Sequence, residues 1–299
     1  MTRLADAAVI ICSRNRPTLL PEAVESVLQG DVRPTEIIIV DQSDRPHEGL
    51  AARRHEAGCE IRYLWDDARG VRRARHRGLA AARSEIVAFT DDDVLVDRGW
   101  LEALATSLTD LGRRGIVTGQ VLAAEPETPG GWAPALVHSK ERAIYEGRIA
   151  KDVLEAGNMA GFRSTLLEVE GFDPTLGPGT PFPAGEDNDI GLRLLAAGCR
   201  IQYEPTAIIH HRAWRGPEEY IGLRWRYGLG QGAYYAKHLS LRDRFMLRRL
   251  GRLLRLHLGM AARRARREPR AAAGHLAYVA GVLTGVARRS LRNPQQQHR

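Results

Sequence analysis

The stretch EIVAFTDDDVLVDRGW, residues 85–100, carries an apolar run directly into three consecutive carboxylates. The run at positions 86–89 is short, β-branched and aromatic, which is typical of a strand buried on both faces. The loop after this strand then holds the carboxylates, Asp91, Asp92 and Asp93. Open parallel sheets bind ligands at this end of their strands, and a bound cation relieves the repulsion between adjacent carboxylates. A solvated acidic turn explains the same residues equally well, because Asp is common in turns.

Strand and helix patterns alternate through the first 112 residues. Strand patterns occupy residues 7–12, 36–41 and 60–65, and each is followed by a helical pattern. The helical patterns run over residues 18–29, 47–57 and 71–82, and a fourth follows Asp97, the expected N-cap, and stops at Gly112. Together with the strand at 86–89 they make four βα units, which predict an α/β fold with a doubly wound, mostly parallel sheet.

The first strand pattern is followed by SRNRP, where a dinucleotide-binding protein has its glycine-rich turn. A nicotinamide dehydrogenase is therefore disfavoured. The second strand pattern ends in Asp41. Its carboxylate is suited to accept hydrogen bonds from a base or ribose, or simply to form the turn DQSD.

Two further polar clusters lie in the second half of the chain. Glu186, Asp187 and Asp189 crowd the first turn of a predicted helix, where acids also serve as ordinary caps. The glycine-flanked segment GPGTPFPAG before them predicts a mobile loop that closes over a substrate. Further on, RIQYEP and AIIHH predict a pair of strands ending in His210 and His211. An imidazole at a strand end is often an ordinary polar group, but beside carboxylates it is also suited to bind Mn²⁺.

The formal net charge of +8 is distributed unevenly along the chain. From Ser240 to Arg299 there are fifteen Arg and two acids, a net charge of +13, which leaves −5 for residues 1–239. We predict a catalytic domain over residues 1–238 and a basic α-helical extension over residues 239–299.

The extension has two patterns that bear on membranes. One predicted helix carries Arg on one face and Leu on another, as in Arg244, Arg248, Arg252 and Arg255 against Leu247, Leu250, Leu254 and Leu258. Residues 271–287 then contain no carboxylate, Lys or Arg, and this length is the lower limit for a membrane span. A buried helical hairpin explains that segment equally well. We expect peripheral contact with an anionic membrane.

Cysteine content and the N-terminus bear on location. Cys12, Cys59 and Cys199 are odd in number and widely spaced, which favours reduced thiols over disulfides or a zinc site. The apolar run near the N-terminus is too short for a signal sequence. We therefore expect a cytoplasmic protein at the inner face of the cell membrane.

Six motifs in order resemble those of the family-2 glycosyltransferases, which have the A-type glycosyltransferase fold. They are ICSRNRP, IIIVDQSD, GVRRARHRGLAAA, AFTDDDV, GNMAGFRSTLLEVEGFD and GEDNDIGLRLLAAG, and YEPTAIIHH follows them. The resemblance covers residues 7–212. It implies transfer of a sugar from a nucleotide-sugar donor to a hydroxyl of a glycan or lipid-linked acceptor, with inversion at the anomeric carbon. One departure concerns the donor: His76 stands where the family more often has Asn.

The resemblance also implies roles for individual residues. On the donor it places Asp41 at the base, Asp91 near the ribose and Arg75 at the edge of the sugar-nucleotide; we place Ser13, Arg14 and Asp92 there as well. The metal, Mn²⁺ or Mg²⁺, falls to Asp93 and His211. The Glu-Asp pair falls on Glu186 and Asp187, and Asp187 is the expected general base.

Two other functions fit parts of the sequence. DDDV matches the motif of aspartate-nucleophile phosphatases, but those enzymes carry it after the first strand. A basic tail also suits a non-enzymatic binder of membranes or nucleic acid. The net negative charge of residues 1–239 argues against nucleic-acid binding, and we expect no nucleic-acid partner.

Overall fold

The computed structural model describes residues 3–239 and 244–292. The packing of Cα atoms divides the chain into two compact units. The first consists of Met1–Phe172 and Ile190–Arg215, and the second of Asp173–Asp189 and Gly216–Arg299. The predicted division at residue 238 thus falls inside the second unit. The predicted fold class, a mostly parallel α/β sheet followed by C-terminal helices, is confirmed.

The first unit is built on one mixed sheet with strand order β3-β4-β2-β1-β5-β9-β7-β10-β6, and β8 pairs with β10. The strands are β1 (Arg3–Ser13), β2 (Val32–Asp41), β3 (His55–Glu56), β4 (Cys59–Trp65), β5 (Ile86–Asp91), β6 (Val94–Val96), β7 (Gly115–Pro126), β8 (Ala143–Tyr145), β9 (Asn158–Phe162) and β10 (Arg200–Ala213). The helices are α1 (Leu19–Leu28), α2 (Glu48–Ala52), α3 (Val71–Ala81), α4 (Trp100–Leu111) and α5 (Arg163–Glu168). Helix α6 (Glu186–Ala196) begins in the second unit and continues into the first.

The centre of the sheet is buried on both faces, as the continuous apolar run of β1 predicts. Val9 and Ile11 of this strand belong to one hydrophobic core, and Ala8 and Ile10 belong to another on the opposite face. Strand β1 pairs in parallel with both β2 and β5. The carboxyl ends of these three strands therefore meet at one edge of the sheet.

The helix predicted over residues 47–57 is wrong beyond its first turn. Helix α2 ends at Ala52, and His55–Glu56 pairs antiparallel with the start of β4. Ala57 and Gly58 adopt φ values of 49° and 87° in the hairpin turn. Gly58 therefore turns a hairpin and does not terminate a helix.

Two other local predictions need correction, and one is confirmed. Gly99, not Asp97, occupies the N-cap of α4, and no side chain caps this helix. The predicted pair of strands ending in two histidines is the single strand β10, whose pairing with β7 is irregular between Glu204 and Ile208. Gly112 ends α4 with a φ of 78°, as predicted.

Besides the start of α6, the described part of the second unit contains a short 3₁₀ helix at Pro217–Glu219 and the helices α7 (Tyr220–His238), α8 (Arg244–Arg264) and α9 (Pro269–Arg292). Helices α7 and α9 pack backbone to backbone. Gly232 permits this close approach, since a Cβ atom at this position would lie 2.0 Å from the carbonyl oxygen of Val282. The segment at 271–287 lies within the single helix α9. Within residues 3–239 and 244–292, no helix has the length and apolar character needed to cross a membrane.

Candidate active site

Strand pairing brings the first polar residues of the site together. Ser13 is in register with Asp41, and Cys12 is in register with Asp91, so the ends of β1, β2 and β5 are adjacent. His211 arrives by another route, because β10 pairs antiparallel with β6 and sets His211 opposite Val94, the residue after Asp93. The predicted residues Ser13, Asp41, Asp91, Asp92, Asp93 and His211 therefore lie at one edge of the sheet.

Asp93 is the centre of this cluster and is only 6% exposed. Arg16 donates a hydrogen bond of 2.8 Å from Nη1 to Asp93 Oδ2. Trp214 Nε1 donates to the same oxygen at 3.3 Å, and Arg215 Nη2 lies 3.7 Å from it. The other oxygen, Oδ1, lies 3.9 Å from His211 Nε2.

The two neighbouring carboxylates Asp92 and Asp93 have different electrostatics. Burial raises the pKa of Asp93, but His211, Arg16 and Arg215 outweigh burial and hold that pKa below its ordinary value. Burial also raises the pKa of Asp92, and it reaches about 7 despite the opposing charge of Arg16. Asp92 Oδ2 accepts a hydrogen bond of 2.7 Å from Ser13 Oγ, which connects the loop after β5 to the end of β1. Asp93 is therefore ionised at a lower pH than Asp92.

Trp214 contacts two guanidinium groups. Arg16 Cζ is 4.7 Å and Arg215 Cζ is 4.3 Å from the centroid of its ring. Such contacts hold a cation in place without using its hydrogen-bond donors. The sequence reasoning missed Arg16, Trp214 and Arg215 as site residues. The signal available was the aromatic and basic segment RAWRG directly after the two histidines.

Asp93 and His211 fit a divalent metal. His211 Nδ1 lies 3.2 Å from the carbonyl oxygen of Arg212, so an Nδ1–H that donates there leaves the Nε2 lone pair on the side of Asp93. The described part of the chain has no group of three or more His, Cys, Asp or Glu residues arranged for a metal. Two protein ligands are nevertheless sufficient where phosphate oxygens of a substrate complete the coordination.

Arg75 lies beside Asp91, as the prediction of a shared donor site requires. Its side chain is 4% exposed, and Nη2 is 3.4 Å from Asp91 Oδ1. The guanidinium carbon lies 4.7 Å from the centroid of the Phe172 ring. Arg14 follows Ser13 at the end of β1, and its buried Nε has no hydrogen-bond partner in the described structure.

Asp41 already has partners on both carboxylate oxygens. Oδ1 accepts hydrogen bonds from the backbone N–H of Ser43, at 2.9 Å, and from the hydroxyl of Ser43. Oδ2 accepts one from the hydroxyl of Tyr63. Asp41 thus orders the turn DQSD, and contact with a base stays a prediction.

Glu186 and Asp187 occupy the first turn of α6, as predicted. They belong to the second unit, whereas Asp93 belongs to the first. Their catalytic roles stay predictions.

The chain is similar to known glycosyltransferases. The family model described as glycosyl transferase family 2 matches residues 8–169. The pre-mycofactocin glycosyltransferase of Mycobacterium tuberculosis is 29% identical over 243 residues, which cover 78% of this chain and 48% of that protein. The chain therefore spans about half the length of this relative.

Two other proteins are similar over more of their length. The glucosyl-dolichyl phosphate glucuronosyltransferase of Haloferax volcanii is 25% identical over 228 residues, which cover 73% of each chain. The structure of the mannosyltransferase PcManGT from Pyrobaculum calidifontis, in complex with GDP-Man and Mn²⁺, superimposes with a TM-score of 0.61 at 17% identity. That superposition covers 93% of this chain and 87% of PcManGT, and it shows a shared fold.

Proposed function

The chain belongs to glycosyl transferase family 2, and we propose that it transfers a sugar from a nucleotide-sugar donor to a hydroxyl acceptor with inversion. The observation that carries this proposal is the convergence of Arg16, Arg215 and His211 on the buried carboxylate of Asp93. A nucleoside diphosphate leaves with two negative phosphate groups, and this cluster combines cationic donors with a carboxylate and an imidazole that suit a metal.

The leaving diphosphate is stabilised by the residues around Asp93. Asp93 and His211 would hold Mn²⁺ or Mg²⁺, which when bound neutralises charge on the phosphates. Arg16 and Arg215 supply further N–H donors, and their contacts with Trp214 fix their positions in advance. Support for a metal also comes from the fold of PcManGT, which was solved with Mn²⁺.

The nucleoside and sugar of the donor contact the neighbouring strand ends. We assign Asp41 to the base, Asp91 to the ribose and Arg75 to the edge of the sugar-nucleotide. Ser13, Arg14 and Asp92 complete the donor-binding set. The adjacency of Arg75 and Asp91 supports this assignment, since a buried guanidinium beside a carboxylate orients both groups.

Asp187 is the proposed general base, with Glu186 beside it. The carboxylate of Asp187 takes the proton of the acceptor hydroxyl while the hydroxyl oxygen attacks the anomeric carbon. A new C–O bond forms as the bond between that carbon and the diphosphate breaks, and the configuration inverts because attack and departure occur on opposite faces.

We further propose that the acceptor is lipid-linked and that the second unit contacts an anionic membrane from the cytoplasmic side. Helices α8 and α9 carry many arginines and no acid, and Glu268 between them is the one acid among residues 244–292. An apolar stripe on α9 is exposed to solvent and consists of Leu276 (52% exposed), Ala280, Leu283 (55%), Ala287 and Leu291 (81%). Arginine beside exposed Leu suits a surface of anionic lipid. The relative from Haloferax volcanii is named for a dolichyl phosphate substrate, which favours a lipid-linked acceptor.

The proposal is tested by release of nucleoside diphosphate from a panel of nucleotide-sugars, with and without Mn²⁺. We expect one or a few donors to be hydrolysed or transferred, and calorimetry to show that Asp93→Ala loses metal-dependent donor binding. Hydrolysis of phosphate monoesters without any reaction of nucleotide-sugars would instead favour the phosphatase. Unchanged metal-dependent donor affinity in Asp93→Ala would refute the role of Asp93.

A further inference from the structure

The segment from Asp173 to Asp189, here called the approach segment, ends with the first turn of α6. The predicted mobile loop, residues 177–185, lies within this segment, and hydrogen bonds connect its residues. Thr180 Oγ1 lies within hydrogen-bond distance of three carbonyl oxygens of the segment, and Gly177 N donates to Phe182 O at 2.9 Å. The approach segment therefore has hydrogen bonds between its own residues, in addition to its contacts with the rest of the second unit.

Two carboxylates at the ends of the approach segment share one cation. Lys237 Nζ, near the end of α7, lies 2.7 Å from Asp173 Oδ2 and 2.7 Å from Asp189 Oδ1. Asp189 is fully buried, and Asp173 is nearly so. A buried carboxylate that loses its partner strongly destabilises the folded protein. Lys237, as the shared partner of both carboxylates, therefore holds the two ends of the segment on α7.

Helix α9 provides a second attachment. Arg289 Nη1 donates to Thr175 Oγ1 at 2.7 Å, and Nη2 lies 3.3 Å from Asp173 Oδ2. Burial raises the pKa of Asp173, but hydrogen bonds from Lys237 and Thr175 outweigh burial and hold that pKa well below its ordinary value. Asp173 is thus an anion bound by both helices.

The residues on either side of Asp187 are attached as well. Asn188 Nδ2 donates to Gln231 Oε1 of α7, and Asp189 Oδ1 lies 2.7 Å from His238 Nε2. The backbone of Ala184 packs against Gly230, where a Cβ atom would lie 2.2 Å from the Ala184 carbonyl oxygen. The chain therefore has contacts with α7 both before and after Asp187.

We propose that Lys237 and Arg289 are positioning residues that orient Asp187 through the approach segment. The inference rests on the proposed role of Asp187 as general base. A carboxylate on a helix turn follows the backbone of that turn, and a displacement of about 1 Å at a reacting group costs about 10²-fold in rate. The C-terminal helices are thereby part of the catalytic apparatus and not only a basic attachment.

The test compares Lys237→Met and Arg289→Met with Arg226→Met, an exposed residue of α7 in the same unit. We expect kcat to fall about 10²-fold in the first two variants, while donor affinity and the KM for donor change less than about threefold. Hydrogen exchange of the amides at 186–190 should accelerate at least about tenfold, as expected when a packed turn opens locally. Arg226→Met should match the wild type in kcat, donor affinity, KM and hydrogen exchange.

Two conservative variants separate positioning from folding. Lys237→Arg keeps a cation near both carboxylates and should restore much of kcat. Arg289→Lys keeps the charge but not the fork that reaches Asp173 and Thr175 together, so it should lower kcat in a folded protein even if Arg289→Met does not fold. Unchanged kcat in folded Lys237→Met and Arg289→Lys would overturn the inference, as would uniform loss of stability without local exchange at 186–190.

Asp187→Asn, measured in parallel, distinguishes the two proposals. If Asp187→Asn transfers sugar normally, the proposed base is wrong. If Asp187→Asn is inactive while Lys237→Met and Arg289→Lys keep wild-type kcat, only the positioning inference fails.

Discussion

His211 Nε2 lies 3.9 Å from Asp93 Oδ1, although the two residues come from strands that are far apart in sequence. The antiparallel pairing of β6 with β10 produces this contact, because it sets His211 opposite Val94 and His210 opposite Leu95. Adjacent residues of a strand point to opposite faces of the sheet. The pairing therefore distinguishes between two neighbouring histidines that look equivalent in sequence.

His211→Ala is expected to raise the Mn²⁺ concentration that gives half-maximal activity by at least about tenfold, since loss of a metal ligand or its support typically costs 10- to 100-fold in affinity. His210→Ala is the matched control and should change this concentration little. Mn²⁺ titrations followed by initial rate, and by calorimetry in the presence of nucleoside diphosphate, measure the effect. Equal metal dependence in His211→Ala and wild type rules out ligation, and a larger effect at His210 would reverse the assignment.

Asp187→Asn should keep donor binding and lower turnover about 10²-fold or more, because general-base catalysis is typically worth that much. The substitution preserves the size and shape of the side chain and removes the carboxylate that accepts the proton. Calorimetry with donor and single-turnover transfer assays check the two parts. Near-normal transfer by a folded variant would leave Asp187 as an N-terminal helix residue without a catalytic role.

The exposed stripe on α9 predicts weaker membrane binding when it is made polar. The triple substitution Leu276→Gln, Leu283→Gln and Leu291→Gln should reduce co-sedimentation with anionic vesicles at least about tenfold, because each removed side chain contributes buried CH₂ groups worth about 0.8 kcal/mol apiece. The control carries Leu4→Gln, Leu136→Gln and Leu167→Gln, which alter exposed leucines of the first unit. Equal binding of the two triple variants to anionic vesicles would argue against this surface. Wild-type binding that is as strong on zwitterionic as on anionic vesicles would also argue against it.

Gly230→Ala should destabilise the protein by about 1–3 kcal/mol, the usual cost of inserting a methyl group into packed structure. A Cβ atom there would lie 2.2 Å from the carbonyl oxygen of Ala184. Gly222→Ala on the same helix is the control; the closest atom to its Cβ is the flexible Nη1 of Arg226, at 3.6 Å. Because Ala is otherwise the better helix former by about 1 kcal/mol, Gly222→Ala should be neutral or stabilising. Chemical unfolding of both variants measures these effects. Equal stability gains would show that the structure around Gly230 and Ala184 accommodates the methyl group at little cost.

His257 predicts a loss of stability in mild acid. Burial, Arg224 and His275 lower its pKa from 6.5 to about 4, and its ring stacks on Tyr278 at 4.2 Å. The folded state binds fewer protons than the unfolded state between these values, so stability is fully present above pH 6.5 and falls as the pH drops toward 4. Unfolding midpoints at pH 7.5 and pH 5.5 measure this loss.

His257→Phe keeps an aromatic ring on Tyr278 and cannot be protonated. It should therefore lose less stability between those two pH values than the wild type does. His55→Gln, at an exposed position, is the control and should behave as the wild type. An identical pH dependence in His257→Phe and wild type would show that His257 is not the responsible group.

Much of the first unit was predictable because its signals are local. The apolar run at 86–89 and the carboxylates after it predict a strand, a loop and their order. The hairpin at Ala57 and Gly58 was missed because a glycine after an apolar pattern signals a helix end and a tight turn alike. The single strand β10 was divided for a similar reason, since Pro205 resembles a break between strands in the sequence. In the structure the strand continues through Pro205 with an irregular pairing to β7.

The sequence by itself determined the alternation of strands and helices, the positions of the acidic motifs and the charge asymmetry of the chain, because period, turn chemistry and composition are properties of neighbouring residues. Only the tertiary structure decided that Arg16, Trp214 and Arg215 surround Asp93, and that Lys237 and Arg289 hold Asp173. These contacts join segments far apart in the chain, and a lone Arg or Lys has the same local pattern whether it is solvated or paired with a buried carboxylate.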